Sequence, residues 1–288
     1  MESAHSLTTA DGVALHYRLW RQGSGRPLVL LVHGLGSNLT RWSEFVEHTS
    51  LRRSFDILRV DLRGHGGSST RRPIGMEIWC QDLAAILDAE GYREAVGVGH
   101  SLGANVVLWL AALQPERVRG VALIDPVLSQ ALRGSTLWIR RLSPLLRAVV
   151  TLIRLLNRLG LRRRTIAEHD LRRLDEDARR RFLDAGKGAE FAKSYSSPLS
   201  GIRHFPTAHY LRELIEMTRP IPRLGELCVP MLGLVSRAAM LTDPDTTRAV
   251  LARCPQAEIV RLSAYHWPLT ERPDETRRAI EDWCARLA

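Results

Sequence analysis

The sequence predicts an α/β protein: a doubly wound, mostly parallel sheet with a helical cap inserted into it. Three observations carry this reading. Six short runs, apolar on both faces, alternate with stretches of helical periodicity, as expected of a parallel sheet covered on each side. About a hundred residues of helical patterning alone, rich in arginine, stand between the fourth and fifth of those runs. And a serine sits between two glycines, in VGVGHSLGANVV (96–107), where one run gives way to a helix.

The elements follow in order. LTTADGVALHYRLW (7–20) reads as a hairpin turning at Asp11-Gly12. The strands are PLVLLVH (27–33), FDILRVD (55–61), EAVGVGH (94–100), VRGVALID (118–125), MLGLVS (231–236) and AEIVRL (257–262). Helices are expected near 74–90, 102–113, 245–254 and 274–286. Repeated β-then-α units of this kind wind a parallel sheet. The sheet domain therefore takes residues 1–127 and 228–288, and the cap takes 128–227.

One cap helix is well specified, with Ser143 as its N-cap, Pro144 in its first turn and Gly160 as its stop. Leu145, Leu146, Val149, Ile153 and Leu156 share one face, expected to lie over the cleft, with Arg147, Arg154 and Arg158 opposite in water.

Charge is unevenly placed. The chain of 288 residues has a net charge of +10. Between Arg133 and Arg223 stand 18 arginines, 2 lysines and 9 acids, a net of +11, so the remainder is close to neutral. The arginines have no interleaved stacking aromatics and match no reader motif, which argues against nucleic acid. An anionic surface or an acidic carrier protein at the basic cap is the partner class such a segment suits. LRRR (161–164) and ARRR (178–181) extend this basic surface.

Other classes fall away. No apolar run approaches the roughly 18–20 residues of a membrane span, and the first twenty residues lack the basic and apolar regions of a signal peptide. Cys80, Cys228, Cys254 and Cys284 are scattered without metal or redox spacing, so a cytoplasmic protein with reduced thiols is expected. There is no metal-ligand cluster, and no glycine-rich motif for phosphate or dinucleotide. His204 and His209 stand in the cap without partner spacing.

The serine motif has a physical logic. In Gly99-His100-Ser101-Leu102-Gly103 the glycines remove Cβ atoms where strand and helix approach closely, and the tight turn lifts the Ser101 hydroxyl above the sheet edge. His33-Gly34-Leu35-Gly36 follows the first parallel strand. There the backbone N–H of Leu35, with that of Leu102, makes a pair of donors for an oxyanion. Asp61-Leu62-Arg63-Gly64-His65-Gly66-Gly67-Ser68 follows the next strand, and YHWPLTERPDE (265–275) brings His266 to the same edge after the last.

These four blocks, in this order and spacing, resemble the α/β-hydrolase superfamily, in its HGxG-type esterases, lactonases and related acyl hydrolases. The resemblance covers nearly the whole chain except the cap, and it implies the α/β-hydrolase fold. It also implies Ser101 as nucleophile and His266 as general base, since the family pattern of His, then Glu five and Pro seven residues on, is met by His266, Glu271 and Pro273. Tyr265 stands where the family commonly has Gly.

The acid departs from the pattern. The family's Asp, counted about nine residues from the Pro that opens the penultimate strand, falls on Ala239. Asp125, at the end of GVALID, and Asp243 are the substitutes, in that order; a site without an orienting acid is the third reading. His33, Gly34, Trp42, His100, Tyr265 and Trp267 are candidates to line the substrate pocket. His33 equally suits a bracing role, and Trp42 the core.

The expected activity is hydrolysis of a small, apolar ester-like acyl compound, a carboxylic ester or lactone, through an acyl-enzyme on Ser101, with no cofactor. The alternatives are an acyltransferase or thioesterase for a carrier-bound acyl group, and a non-hydrolytic ligand-binding homologue.

Overall fold

The computed structural model of the chain describes residues 2–23, 25–161, 170–195 and 205–287. Eight strands form one sheet: β1 (Glu2–Thr8), β2 (Ala14–Trp20), β3 (Leu28–Val32), β4 (Asp56–Val60), β5 (Ala95–His100), β6 (Val118–Ile124), β7 (Met231–Ser236) and β8 (Ala257–Leu262). Their spatial order is β1-β2-β4-β3-β5-β6-β7-β8. β1 and β2 pair antiparallel through a turn in which Gly12 takes φ 81°, and β2 runs antiparallel to β4. Every other pairing is parallel.

Eleven α-helices are described: α1 (Ser43–His48), α2 (Met76–Ala89), α3 (Leu102–Leu113), α4 (Gly134–Arg141), α5 (Ser143–Arg158), α6 (Leu171–Ala178), α7 (Gly188–Tyr195), α8 (Thr207–Met217), α9 (Pro244–Leu251), α10 (Pro268–Glu271) and α11 (Pro273–Ala285). Helices α4 to α8 all lie between β6 and β7, in the stretch assigned to the cap.

The sheet is buried on both faces, which is why its central strands are unbroken apolar runs. Leu28, Leu30 and Val32 of β3 enter one core cluster with α2 and α3, while Val29 and Leu31 enter the other with Trp42, Phe45, Ile280 and Trp283. β8 is one edge, opposite β1, and its Glu258 and Val260 side is exposed. Cys80, Cys254 and Cys284 are buried, and Cys228 is exposed.

The topology sets up a crevice. β3 leads to β4 on one side and β5 lies on the other, so the chain reverses its direction of winding between β3 and β5. In open α/β sheets the ends of strands at such a reversal diverge and leave a cleft. The loop after β3 and the turn after β5 therefore stand side by side at the sheet edge.

The cap helix α5 differs from its sequence expectation. Its inner face is Leu146, Val150 and Ile153, packed on Ala208, Leu211 and Ile215 of α8. Leu145, Val149 and Leu156 are exposed rather than turned toward the cleft. The helix is apolar over so wide an arc that periodicity alone does not single out the inner side, and the short α8 covers only part of that arc. Ser143 is the first helical residue rather than the cap, because α4 runs into α5 through Leu142 alone. Gly160 does end the helix, at φ 89°.

Candidate active site

Ser101 sits between β5 and α3 at φ 53°, a region that disfavours a side chain other than glycine's. Its neighbours explain the strain. A Cβ on Gly103 would lie 2.2 Å from the Val32 carbonyl oxygen, and one on Gly99 would lie 2.3 Å from the Gly103 carbonyl oxygen. Only two glycines let α3 start this close to β3 and β5, and the intervening turn holds the serine hydroxyl outward. Ser101 N–H donates to the Ile124 carbonyl at 2.8 Å, pinning the turn to β6.

His266 comes to the hydroxyl from the loop after β8, with Nε2 3.1 Å from Ser101 Oγ. That loop is shaped by Glu271, whose carboxylate accepts the backbone N–H groups of Tyr265, His266 and Trp267 at 2.9–3.2 Å. His100 braces it from the other side by donating Nε2–H to the His266 carbonyl at 2.8 Å. Burial, with His100 adjacent, holds the His266 imidazole well below its ordinary pKa. The ring is therefore neutral at physiological pH, as a general base must be.

The acid position is less tightly drawn. Asp125 ends β6 in a left-handed conformation, φ 45°, and its Oδ2 lies 3.7 Å from His266 Nδ1, beyond hydrogen-bond range. His266 Nδ1 is buried and has no hydrogen-bond partner. Asp125 instead accepts the N–H of Ser236 at 2.7 Å on Oδ1 and its hydroxyl at 2.5 Å on Oδ2. Burial pushes the Asp125 carboxyl up to about 7 even though the Ser236 bonds lower it. Asp243 is not brought to His266 at all. It caps α9, accepting the Thr246 N–H at 2.8 Å and hydroxyl at 2.6 Å. Ala239 is buried, and its carbonyl accepts from Arg133.

The candidate oxyanion side is the loop after β3. Gly34 passes directly beneath the elbow, where a Cβ would meet the His100 carbonyl oxygen at 3.2 Å and Ser101 Cβ at 3.4 Å. Leu35 follows, half-buried, and Leu102 opens α3, where the first N–H groups have no helical acceptor. His33 is a brace: neutral, its pKa pushed down to about 3 by burial, it donates Nδ1–H to the Gly34 carbonyl and accepts the Leu62 N–H on Nε2. Asp61 ties the same region, accepting from Leu39 N–H, Gly67 N–H and His16.

Several residues play parts the sequence did not announce. Glu213 of α8 is fully buried, 3.1 Å from His65 Nε2, and accepts the Gly36 N–H at 3.4 Å. Helix α8 is thus tied to the loops after β3 and β4 through one carboxylate. Burial opposes protonation of His65, but the Glu213 charge outweighs it and raises the His65 pKa. Phe191 and Tyr195 of α7 pack on Trp267, next to His266. Tyr265 lies against Gly188, where a Cβ would be 3.1 Å away. Trp42 is wholly buried and packs edge-on against Phe45 in the core. His209 is buried and donates Nε2–H to the Arg72 carbonyl; His204 lies outside the described residues. Among those residues no group of His, Cys, Asp and Glu is arranged to hold a metal ion.

The profile of one family, described as "alpha/beta hydrolase fold", matches residues 27–273, nearly the whole chain. The chain belongs to the α/β-hydrolase family. Among curated relatives, the chain is 37% identical over 112 residues to the lipase LipV of Mycobacterium tuberculosis, covering 39% of this chain and 41% of that one. It is 34% identical over 126 residues to the dihydrolipoyllysine-residue acetyltransferase component of the acetoin cleaving system of Cupriavidus necator, covering 43% of this chain and 33% of that one. The chain thus spans only about a third to two fifths of the length of these relatives. Among solved structures, the enol-lactonase of Burkholderia xenovorans LB400 superposes with a TM-score of 0.71 at 21% identity, covering 98% of this chain and 100% of that one. That likeness is one of fold.

Proposed function

We propose that this chain is a serine hydrolase that cleaves an ester-like acyl bond, a carboxylic ester or lactone, through an acyl-enzyme on Ser101. The observation that carries the reading is the 3.1 Å contact between His266 Nε2 and the hydroxyl of a serine held at φ 53°. Ser101 Oγ attacks the carbonyl carbon as His266 Nε2 takes its proton. The N–H groups of Leu35 and Leu102 hold the oxyanion, and collapse expels the alcohol, which receives the proton from His266. Water, activated by the same imidazole, then releases the acid. Asp125 offsets the charge of the imidazolium as it forms. Phe191, Tyr195 and Trp267 beside His266 favour an apolar acyl or alcohol group.

The test is a fluorophosphonate probe with a panel of esters, lactones and thioesters of graded chain length. Wild-type protein is expected to label and turn over. Ser101→Ala is expected to do neither, with stability unchanged to within about 1 kcal/mol because one hydroxyl is lost from a turn. The 3.7 Å gap between Asp125 and His266 favours a second reading, a homologue that binds such ligands without cleaving them. Absence of probe labelling in the folded wild-type protein would select it.

A further inference from the structure

The cap carries a surface that the chemistry at Ser101 does not use. α4 and α5 form an almost continuous rod over 134–158, joined only through Leu142. Along it Trp138, Leu142, Leu145, Val149, Leu152, Leu156 and Leu159 recur at alternating spacings of four and three, which places them on one line of the helix. All are exposed: Trp138 by 59%, Leu145 by 62%, Leu152 by 55% and Leu159 by 71%. Single exposed apolar residues are ordinary, but an unbroken line of them is not. The rod is about 37 Å long at 1.5 Å per residue.

The charge along this rod is of one sign. From 126 to 167 the sequence contains no Asp or Glu. Arg140, Arg141, Arg147 and Arg158 are exposed on the rod, and Arg141 stacks on Trp138 with its guanidinium 5.4 Å from the ring centre. Arg140, Arg147 and Arg158 stand across the helix from the apolar line. They are no farther from it than a helix diameter of about 10 Å, comparable to the Debye length of about 8 Å at physiological salt.

We infer that the α4–α5 rod is a docking surface for an anionic lipid interface, lying flat with its leucine line in the headgroup boundary. Three features choose this occupant. The exposed apolar residues form a single line along a helix of about 37 Å, which suits a plane better than a compact ligand. Its charge attracts anionic headgroups, and the combination of apolar area with basic charge is the two-part signal of interfacial helices. A second copy of the same rod, by contrast, would bring two segments of like charge together with no Asp or Glu between 126 and 167 to offset them, whereas paired helices with such spacing use opposite charges at their flanks. Among the described residues no helix is long and apolar enough to cross a membrane.

The test is co-sedimentation of the full chain with phosphatidylcholine vesicles, with and without phosphatidylglycerol, at low and physiological salt. Binding is expected only with phosphatidylglycerol, and salt is expected to weaken it by an order of magnitude or more. Arg147→Gln and Arg158→Gln should each weaken it about fivefold, and the Lys variants should not. Leu152→Gln with Leu159→Gln should abolish binding with the circular dichroism spectrum and melting temperature unchanged. Brominated lipid should quench part of the tryptophan emission, and Trp138→Phe should remove that part. Equal binding to uncharged vesicles would overturn the proposal. So would binding indifferent to the leucine pair and matched by soluble polyglutamate. A concentration-dependent dimer that the leucine variants dissolve, without vesicle binding, would overturn it in favour of a second copy.

Discussion

Asp125 Oδ2 stands 3.7 Å from His266 Nδ1 while accepting the Ser236 hydroxyl at 2.5 Å, so the acid is held by a neighbouring strand and not by the histidine. Asp125 and Ser236 end adjacent parallel strands, β6 and β7, and the Asp125 N–H also bonds across to Leu234. The carboxylate is fixed to the sheet, and a small rotation of the His266 ring decides whether Nδ1–H meets it.

This pair predicts the pH dependence of turnover. With its pKa raised to about 7 by burial, Asp125 is protonated below that value and ionised above it. Only the ionised form stabilises the imidazolium, so kcat/KM is expected to rise with pH through a limb near 7. His266, buried and depressed, stays neutral across that range and contributes no limb there. Asp125→Asn should remove the limb and lower kcat by on the order of 10⁴. Ser236→Ala, which deletes a bond to the carboxylate, should move the limb to higher pH. A profile whose limb survives Asp125→Asn would assign it to another group.

Asp243 gives the opposite expectation. Because its carboxylate caps α9, Asp243→Ala should cost about 1 kcal/mol of stability and leave kcat unchanged. Urea denaturation and ester turnover on one preparation check both halves. A large loss of kcat at unchanged stability would return Asp243 to the site.

Glu271 should matter through geometry. It gathers three consecutive N–H groups of the His266 loop, and Glu271→Gln replaces one acceptor oxygen by a donor that opposes them. A displacement of about 1 Å at the base is enough for a loss of about 10²-fold in kcat. Substrate affinity should change little, and the rate of fluorophosphonate labelling should fall in parallel with kcat.

The buried His65–Glu213 pair links cap to core, and its loss should be felt in stability. Glu213→Gln leaves His65 without a counter-charge, at a cost of about 3 kcal/mol. The pair raises the His65 pKa, so its contribution is fully present below the unfolded value near 6.5 and is lost as pH rises through the higher folded value. Denaturation of wild type and variant at pH 6 and pH 9 should therefore show a larger difference at the lower pH.

What was legible in the sequence was what is local. β7 and β8 and helix α3 match their expected spans, because period and glycine punctuation act within a few residues. The elbow was legible for the same reason: the demand for glycine comes from carbonyls that the turn itself brings close. The acid was not settled, because Asp125, Ser236 and His266 meet only through strand order. Glu213 was not foreseen, since a lone Glu in a cap helix carries no spacing signal until α8 is laid on the oxyanion loop. The inner face of α5 is not readable from its own period, because its partner α8 selects Leu146, Val150 and Ile153.

The glycine contacts at the elbow bear on how such chains diverge. Val32 and Gly103 carbonyls exclude side chains at positions 103 and 99 whatever residue stands at 101. A descendant that had exchanged Ser101 for an inert residue, and with it all turnover, would still be obliged to keep both glycines in order to fold. The two glycines therefore record ancestry, and loss of activity would leave them untouched; only the residue between them, with the partner at 266, registers whether chemistry is still under selection.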